Sequence, residues 1–448
     1  MSSSKIVPLV SKLAYGVGDF AGILVFTTVS TFLMFYYTDV YGLPAAAVGG
    51  LLFAARTVDA VWDIFLGVVV DRTRSRWGQC RPYLLFGGPL LAALAVAVFT
   101  SVDGSAAFKL AYAYVTYIGL MMAYSLVTIP YGAMPALMTD QMRDRNRMIM
   151  IRTVFSYASA LLINTQTLKL VAWLGGGNKQ IGYQHTVLLM AVASIVLYWL
   201  CFAGTRERVT PLVQPMHVRR DLGTLVRGRA WLMMTVMCMS ISMAFTIVGG
   251  STLYYFTYVV RDTSGMALFF LMSGLGMITG ILCSDQLTRR FCKRQVLLWT
   301  SLAAALLYSC FYFVDTSHLW QMVGLAFVIN LMGGCTHPII ISMIPDVADD
   351  AELRSGRRMV GLTSSTIAFS VKFGLGLGGA FTGLLLTWLG YKANVVQSAQ
   401  VVDGFKMIMS AVPALNKLLV FGVAYFYPLN QARLETVQRE LMVARAAA

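Results

Sequence analysis

Apolar runs of about 20 residues recur along this 448-residue chain, each long enough to cross a bilayer as a helix. They predict twelve spans, at 13–38, 44–70, 82–102, 107–138, 148–173, 183–204, 231–259, 265–284, 295–314, 319–345, 359–390 and 405–428. The runs are continuously apolar rather than alternating, which predicts helices and not barrel strands. The longest polar connection, 205–230, divides them six and six. The expected organisation is an N-terminal six-helix bundle over 1–204, a cytoplasmic linker over 205–230, a C-terminal six-helix bundle over 231–428 and a tail over 429–448. The tail reads as a short amphipathic helix at the membrane surface.

The two halves repeat a pattern. Gly67 to Arg76 follows the second span, and Gly280 to Arg290 follows the eighth. Each contains a glycine, then an aspartate, then a basic cluster. Equivalent loops in two six-helix halves imply an internal duplication, the pattern of a carrier with its site near the midplane. The fold class expected is an all-α membrane protein of twelve transmembrane helices in two pseudo-symmetric six-helix bundles.

Composition agrees: 58% of the residues are hydrophobic and 12% charged, about half the charge of a soluble protein. The net charge of +15 raises the question of nucleic acid, and its distribution answers it. With both termini inside, the inner loops hold 21 Lys/Arg and the outer loops four, Lys109, Lys179, Arg261 and Lys392. This is the positive-inside pattern. It places both termini in the cytoplasm and makes the basic charge a topology signal, with no nucleic-acid partner implied. The seven cysteines show no paired metal-ligand or disulfide spacing. The N-terminus lacks a secretory cleavage pattern, so the first helix is expected to stay.

One span is unusual. Pro44 to Val70 is apolar except for "RTVDAVWD", which puts Arg56, Asp59 and Asp63 in its middle. Their spacing places all three on one helix face. A charge in the bilayer core costs about 2.5–3.5 kcal/mol on the insertion scale unless paired or hydrated. Arg56 can neutralise one aspartate, and the other carboxylate needs a proton, a cation or another basic group. The stripe therefore reads as a cation site. The plainer alternative is an ion-pair network that only holds the bundle. Asp19, Arg152, His337 and Lys372 fall at comparable depth. Asp19, Asp59 and Asp63 balance Arg56, Arg152 and Lys372, so charge counting alone does not prove cation binding. Pro130 is expected to interrupt the fourth helix, and the glycines of the eleventh permit close helix approach.

An enzyme would need a convergent nucleophile, metal ligands or a phosphate loop. The chain has four histidines and no H-x-x-x-H or paired-cysteine motif. GGGNKQ at 175–180 lacks the Lys-Ser/Thr that a phosphate loop requires. No enzyme and no cofactor are expected.

"AYGVGDF", "FYYTDVYGLP", "RTVDAVWD", "DRTRSRWGQCRPY", "IPYGAM", "GYQHT", "VKFGLGLGG" and "LGYKANVVQSAQ" together resemble the glycoside–pentoside–hexuronide:cation symporters of the major facilitator superfamily. The similarity covers nearly the whole chain. It implies a monomeric carrier of a bacterial-type inner membrane that imports a sugar with a coupling ion, H+ or Na+, by alternating access. It places the cation at Asp59 and Asp63, assisted by Ser125. It assigns Arg152 to the sugar site and Lys372 to the link between the two sites. The signature loop G-x-x-x-D-R-x-x-x-R implies a cytoplasmic gate at Asp71, Arg72 and Arg76, with Asp285 as the second-half counterpart.

The chain also departs from the melibiose carrier of that family. Thr128 stands where an aspartate touches both cation and sugar. Ile23 stands where the first helix carries a sugar-binding aspartate. Gly132 replaces an aromatic residue, and His337 a tryptophan. With Asp19, Arg152 and Lys372, these positions form the expected substrate site. Loss of two carboxylates implies a glycoside other than melibiose, either an anionic hexuronide or a neutral xyloside. A missing third carboxylate also leaves Na+ short of hard oxygen ligands and points to protons. A related carrier of lysolipids or drugs, and a sugar-sensing receptor, are the alternatives.

Overall fold

The computed structural model describes residues 7–208, 223, 225–355, 360–429, 433–437 and 439–441. Most of the linker expected from the sequence lies outside them; of the tail, 429, 433–437 and 439–441 are described, and 433–437 and 439–441 are helical, as the sequence predicts. The described chain is helical, with one isolated bridge between Ser75 and Gly78 and no strand among the described residues.

The helices of the first half are α1 (Leu9–Phe35), α2 (Ala45–Arg72), α3 (Arg81–Val98), α4 (Ala106–Met138), α5 (Met142–Gly175) and α6 (Lys179–Gly204). Those of the second are α7 (Arg229–Tyr254), α8 (Thr263–Arg290), α9 (Lys293–Phe311), α10 (Leu319–Ser355), α11 (Val360–Trp388), α12 (Ala399–Met409) and α13 (Ala411–Tyr425). Ten of the described helical stretches are long and apolar enough to cross a membrane, Ala399–Tyr425 counting as one. The other two of the twelve expected spans are α2, which carries the charged stripe, and α9.

Polar side chains set several starts. Ser105 accepts from the Phe108 amide at the head of α4, and Asn178 accepts from Gln180 and Ile181 at the head of α6. Both halves open alike: α1 runs into a π-helical turn at Tyr36–Val40, and α7 into one at Tyr255–Val260. This backbone irregularity, repeated at matching places, is a second mark of duplication.

Prolines behave differently from expectation at two places. Pro130 does not interrupt α4, which stays helical through Pro130 and Pro135. A proline leaves the carbonyl four residues earlier without its helical donor. For Pro135 that carbonyl belongs to Tyr131, and the Tyr15 hydroxyl donates to it at 3.4 Å. The last span, expected unbroken, divides at Ser410, whose φ −122° and ψ −70° are not helical. Pro413 lies three residues on, and it cannot donate to the Met409 carbonyl.

The chain divides into two compact units. The first is Met1–Val213 with Gly379–Val395, and the second is Gln214–Gly378 with Val396–Ala448. In the first, α1 packs on α5 and α6, α3 on α4 and α6, and α2 on α4. A buried ion pair, Lys12 Nζ to Asp144 at 2.6 Å, ties α1 to the first turn of α5, and the Val7 amide adds a bond to the same carboxylate. The C-terminal end of α11 completes this unit through glycines: a Cβ on Gly383 would stand 2.5 Å from the Ala45 carbonyl oxygen and 2.8 Å from Gly49 Cα. The second unit uses the same device. Gly280 and Gly334 let α8 and α10 touch backbone to backbone, and Gly374 and Gly378 do so for α11 against α7. Its core is aliphatic and Met-rich, with Met234, Met237, Val296, Leu297, Met343 and Val347.

Candidate functional site

The charged stripe of α2 lies inward in the first unit. Asp59 has no exposed surface and Arg56 only 6%, while Asp63, one turn on, is half-buried. The Ser125 hydroxyl of α4, itself fully buried, donates to Asp59 Oδ1 at 2.5 Å. A buried carboxylate needs such donors to offset its lost hydration. The Arg56 guanidinium stands 5.3 Å from the centre of the Phe26 ring on α1, a cation–π placement that shelters its charge.

A second cluster forms between α1 and α5. Arg152 Nε donates to Asp19 Oδ1 at 2.9 Å, and the Ser156 hydroxyl donates to Asp19 Oδ2. Arg152 also stands 5.2 Å above the Tyr131 ring. Asp19 is 8% exposed, and the Arg152 side chain 38%. The pair is thus anchored on one side and open on the other.

Two aromatic stacks connect α1 to α4. Tyr15 and Tyr131 lie 4.5 Å apart with planes at 11°, and Phe26 and Tyr124 lie 5.5 Å apart at 27°. The Tyr131 hydroxyl donates to the Tyr15 carbonyl at 2.6 Å. Tyr15, Asp19 and Ile23 are spaced four apart and Phe26 three further, one stripe of α1. Tyr124, Thr128 and Tyr131 are the matching stripe of α4. Ile23 and Thr128, which replace the two carboxylates of the melibiose carrier, fall in register between the stacks. Thr128 donates to the Tyr124 carbonyl at 2.9 Å. No atom lies within 4 Å of a Cβ built on Gly132, so space is open where the resemblance has an aromatic ring.

The structure thus brings together Asp59 with Ser125, and Asp19 with Arg152, inside one unit. His337 on α10 and Lys372 on α11 belong to the second unit, His337 exposed and Lys372 half-buried. Of the expected gate residues, Asp71, Arg72 and Arg76 are exposed at the end of α2 and in the loop after it. Arg76 lies over the Trp77 ring at 4.2 Å. Asp285 pairs with Arg289 one turn along α8 at 2.7 Å. The sequence reading did not single out Ser156, Tyr15, Tyr131, Tyr124 or Phe26. Ser156 was within reach, since it lies four residues after Arg152 as Tyr15 lies four before Asp19.

The sequence pattern described as MFS/sugar transport protein matches residues 14–431. The isoprimeverose transporter of Lactiplantibacillus pentosus is 33% identical, over 95% of this chain and 90% of that protein. The glucuronide carrier protein homolog of Escherichia coli (strain K12) is 33% identical over 96% and 94%. The inner membrane symporter YicJ of the same organism is 30% identical over 98% and 96%. Among solved structures, the nucleoside transporter NupG superposes with a TM-score of 0.66 at 12% identity, over 94% of this chain and 100% of that one. A bacterial homolog of the lysosomal transporter Spinster gives 0.62 at 14%, over 96% and 97%. These structural likenesses show the fold, that of the MFS transporters. The expectation of a carrier rather than an enzyme is met, and the chain belongs to the MFS/sugar transport protein family.

Proposed function

We propose that this protein imports a glycoside by symport with protons across the inner membrane, with both termini in the cytoplasm. The observation that carries the reading is the Asp19–Arg152–Ser156 cluster beside the Tyr15–Tyr131 stack. A carboxylate and a guanidinium held together offer acceptors and donors to sugar hydroxyls. The carboxylate also cancels the charge of Arg152. That supports a neutral pentoside-type glycoside over an anionic hexuronide. The half-buried Phe26–Tyr124 pair on the same two stripes offers aromatic surface that suits the apolar face of a sugar ring. The names of similar carriers, for isoprimeverose and for glucuronides, agree with a glycoside cargo.

Asp59, assisted by Ser125 and with Asp63 one turn away, is the proposed cation site. Thr128 supplies a hydroxyl where the melibiose carrier has a third carboxylate. A site with fewer anionic oxygens favours a proton over Na+, which needs several hard ligands. Lys372 and His337 remain proposed substrate-binding residues, and Asp71, Arg72, Arg76 and Asp285 proposed cytoplasmic gate residues.

The test is external pH in a lightly buffered suspension of cells expressing the protein, without sodium. Addition of β-xylosides should cause alkalinisation that Asp59→Asn abolishes, and glucuronides should cause none. Alkalinisation with glucuronides alone would reverse the substrate assignment. Sugar accumulation only when sodium is present would reverse the ion assignment.

A further inference from the structure

We propose that Glu207, just past the C-terminal end of α6, is the positioning residue of the inner loop between α2 and α3 and fixes that loop's charged side chains for transport. The proposal rests on the transport reading above. One carboxylate collects three backbone amides at the head of α3: Gln79 N at 2.7 Å and Cys80 N at 2.7 Å, one on each oxygen, and Arg81 N at 3.0 Å. Amides at a helix N-terminus lack internal partners, and a negative charge there is favoured by the helix dipole. Glu207 supplies that charge from the segment that follows α6, so the bonds fasten the loop to the end of α6.

The loop backbone is shaped around this side chain. Gly78 has φ +113°, in the region that favours glycine. A Cβ there would stand 2.6–2.7 Å from the Glu207 carboxylate atoms. No other residue fits without moving the anchor. The rest of the loop is braced in the same sense. Arg81 donates to the Phe202 carbonyl of α6 at 2.7 Å and lies over the Phe202 ring at 4.4 Å. Ser75 Oγ donates to the Gly78 carbonyl at 2.7 Å. Beside Glu207, the Arg208 amide donates to the Leu137 carbonyl at the end of α4, at 2.7 Å. The loop that carries Arg74 and Arg76 is therefore built as an extension of α6 rather than as a free strap.

Cys80 gives a local readout. It donates its amide to Glu207 and its side chain is fully buried. In Glu207→Gln, an NH2 group replaces one acceptor and faces amides that also donate. We expect the maximal uptake rate in membranes to fall about tenfold while KM changes less than about twofold, the signature of a residue that acts on turnover and not on binding. Cys80, followed by mass spectrometry of its peptide, should become alkylated by N-ethylmaleimide at pH 7. Gly78→Ala should give the same pattern from the opposite side of the contact, and Glu207→Asp should restore part of the rate. An unchanged rate, a rise in KM at unchanged rate, or a Cys80 that stays protected in both variants would overturn the proposal. If the wild type moves no glycoside, the transport reading fails by itself, and Cys80 labelling still decides whether Glu207 holds the loop.

Discussion

Ser125 and Asp59 meet across α2 and α4 in a 2.5 Å hydrogen bond with no accessible surface on either partner. If Asp59 is the coupling carboxylate, Asp59→Asn should abolish sugar-driven alkalinisation while exchange of labelled for unlabelled sugar continues. Ser125→Ala removes a donor from a buried acceptor, a change worth about 1–3 kcal/mol. Its coupled uptake should fall about fivefold at the low end of that range and about a hundredfold or more at the high end. Equal alkalinisation in wild type and Asp59→Asn would move the coupling site elsewhere.

Arg152 and Asp19 should behave as one unit. Removing either leaves the other charge uncompensated in a partly buried site, so Arg152→Ala and Asp19→Asn should each cut sugar binding at least tenfold. The double variant should lose less than the two single losses added together, with a coupling of about 1–3 kcal/mol for groups in direct contact. Binding isotherms for the four proteins supply the cycle. Strictly additive losses would show that the 2.9 Å contact has no energetic part in binding.

Burial and the neighbouring Glu207 carboxylate push the Cys80 thiol up to about 12 from an ordinary 9.0. The unfolded chain ionises this thiol near pH 9, whereas the folded chain holds the proton until near 12. Stability contributed by the neutral thiol is therefore complete below pH 9 and lost as pH rises towards 12. Over that window the slope approaches about 1.4 kcal/mol per pH unit. Thermal unfolding of purified protein at pH 8 and pH 10.5 should show a larger drop for wild type than for Cys80→Ala. Parallel drops would place the thiol in water.

The close approach at Gly383 should not tolerate a branched side chain. With a Cβ already 2.5 Å from the Ala45 carbonyl oxygen, Gly383→Val forces α2 and the end of α11 apart, at a cost of about 1–3 kcal/mol or more. Gly422→Ala, which meets open space, is the control. The melting temperature in detergent should fall several degrees for the first and stay within a degree or two for the second.

Apolar periodicity located the long helices, because a membrane span must satisfy its own backbone. It placed their ends less well: α10, expected to stop at 345, continues to Ser355 through Pro338 and Pro345, since neighbours can supply what a proline removes. The charged residues of the site were legible because a charge in an apolar run is conspicuous. Their partners were less so. Ser125 came through the resemblance, and Ser156 looks like any hydroxyl in a helix. The Tyr15–Tyr131 and Phe26–Tyr124 stacks depend on the register of α1 against α4, which no local pattern encodes. Glu207 was hidden among the basic residues of "TRERV", where charge alone reads as topology. The bond from the Tyr391 hydroxyl to Asp39 Oδ1, at 2.6 Å, joins residues at opposite ends of the sequence.

That last bond has a consequence for biosynthesis. Asp39 sits in the π turn after α1, and it also receives the Asn394 side-chain amide on its carbonyl at 2.7 Å. The first unit is thus finished by Gly379–Val395, a stretch the ribosome delivers after nearly the whole protein has been made. Until then the glycine face of α2 and the carboxylate of Asp39 lack these late contacts. The amino-terminal half expressed alone should therefore be short-lived, and co-expression with the carboxy-terminal half should rescue it.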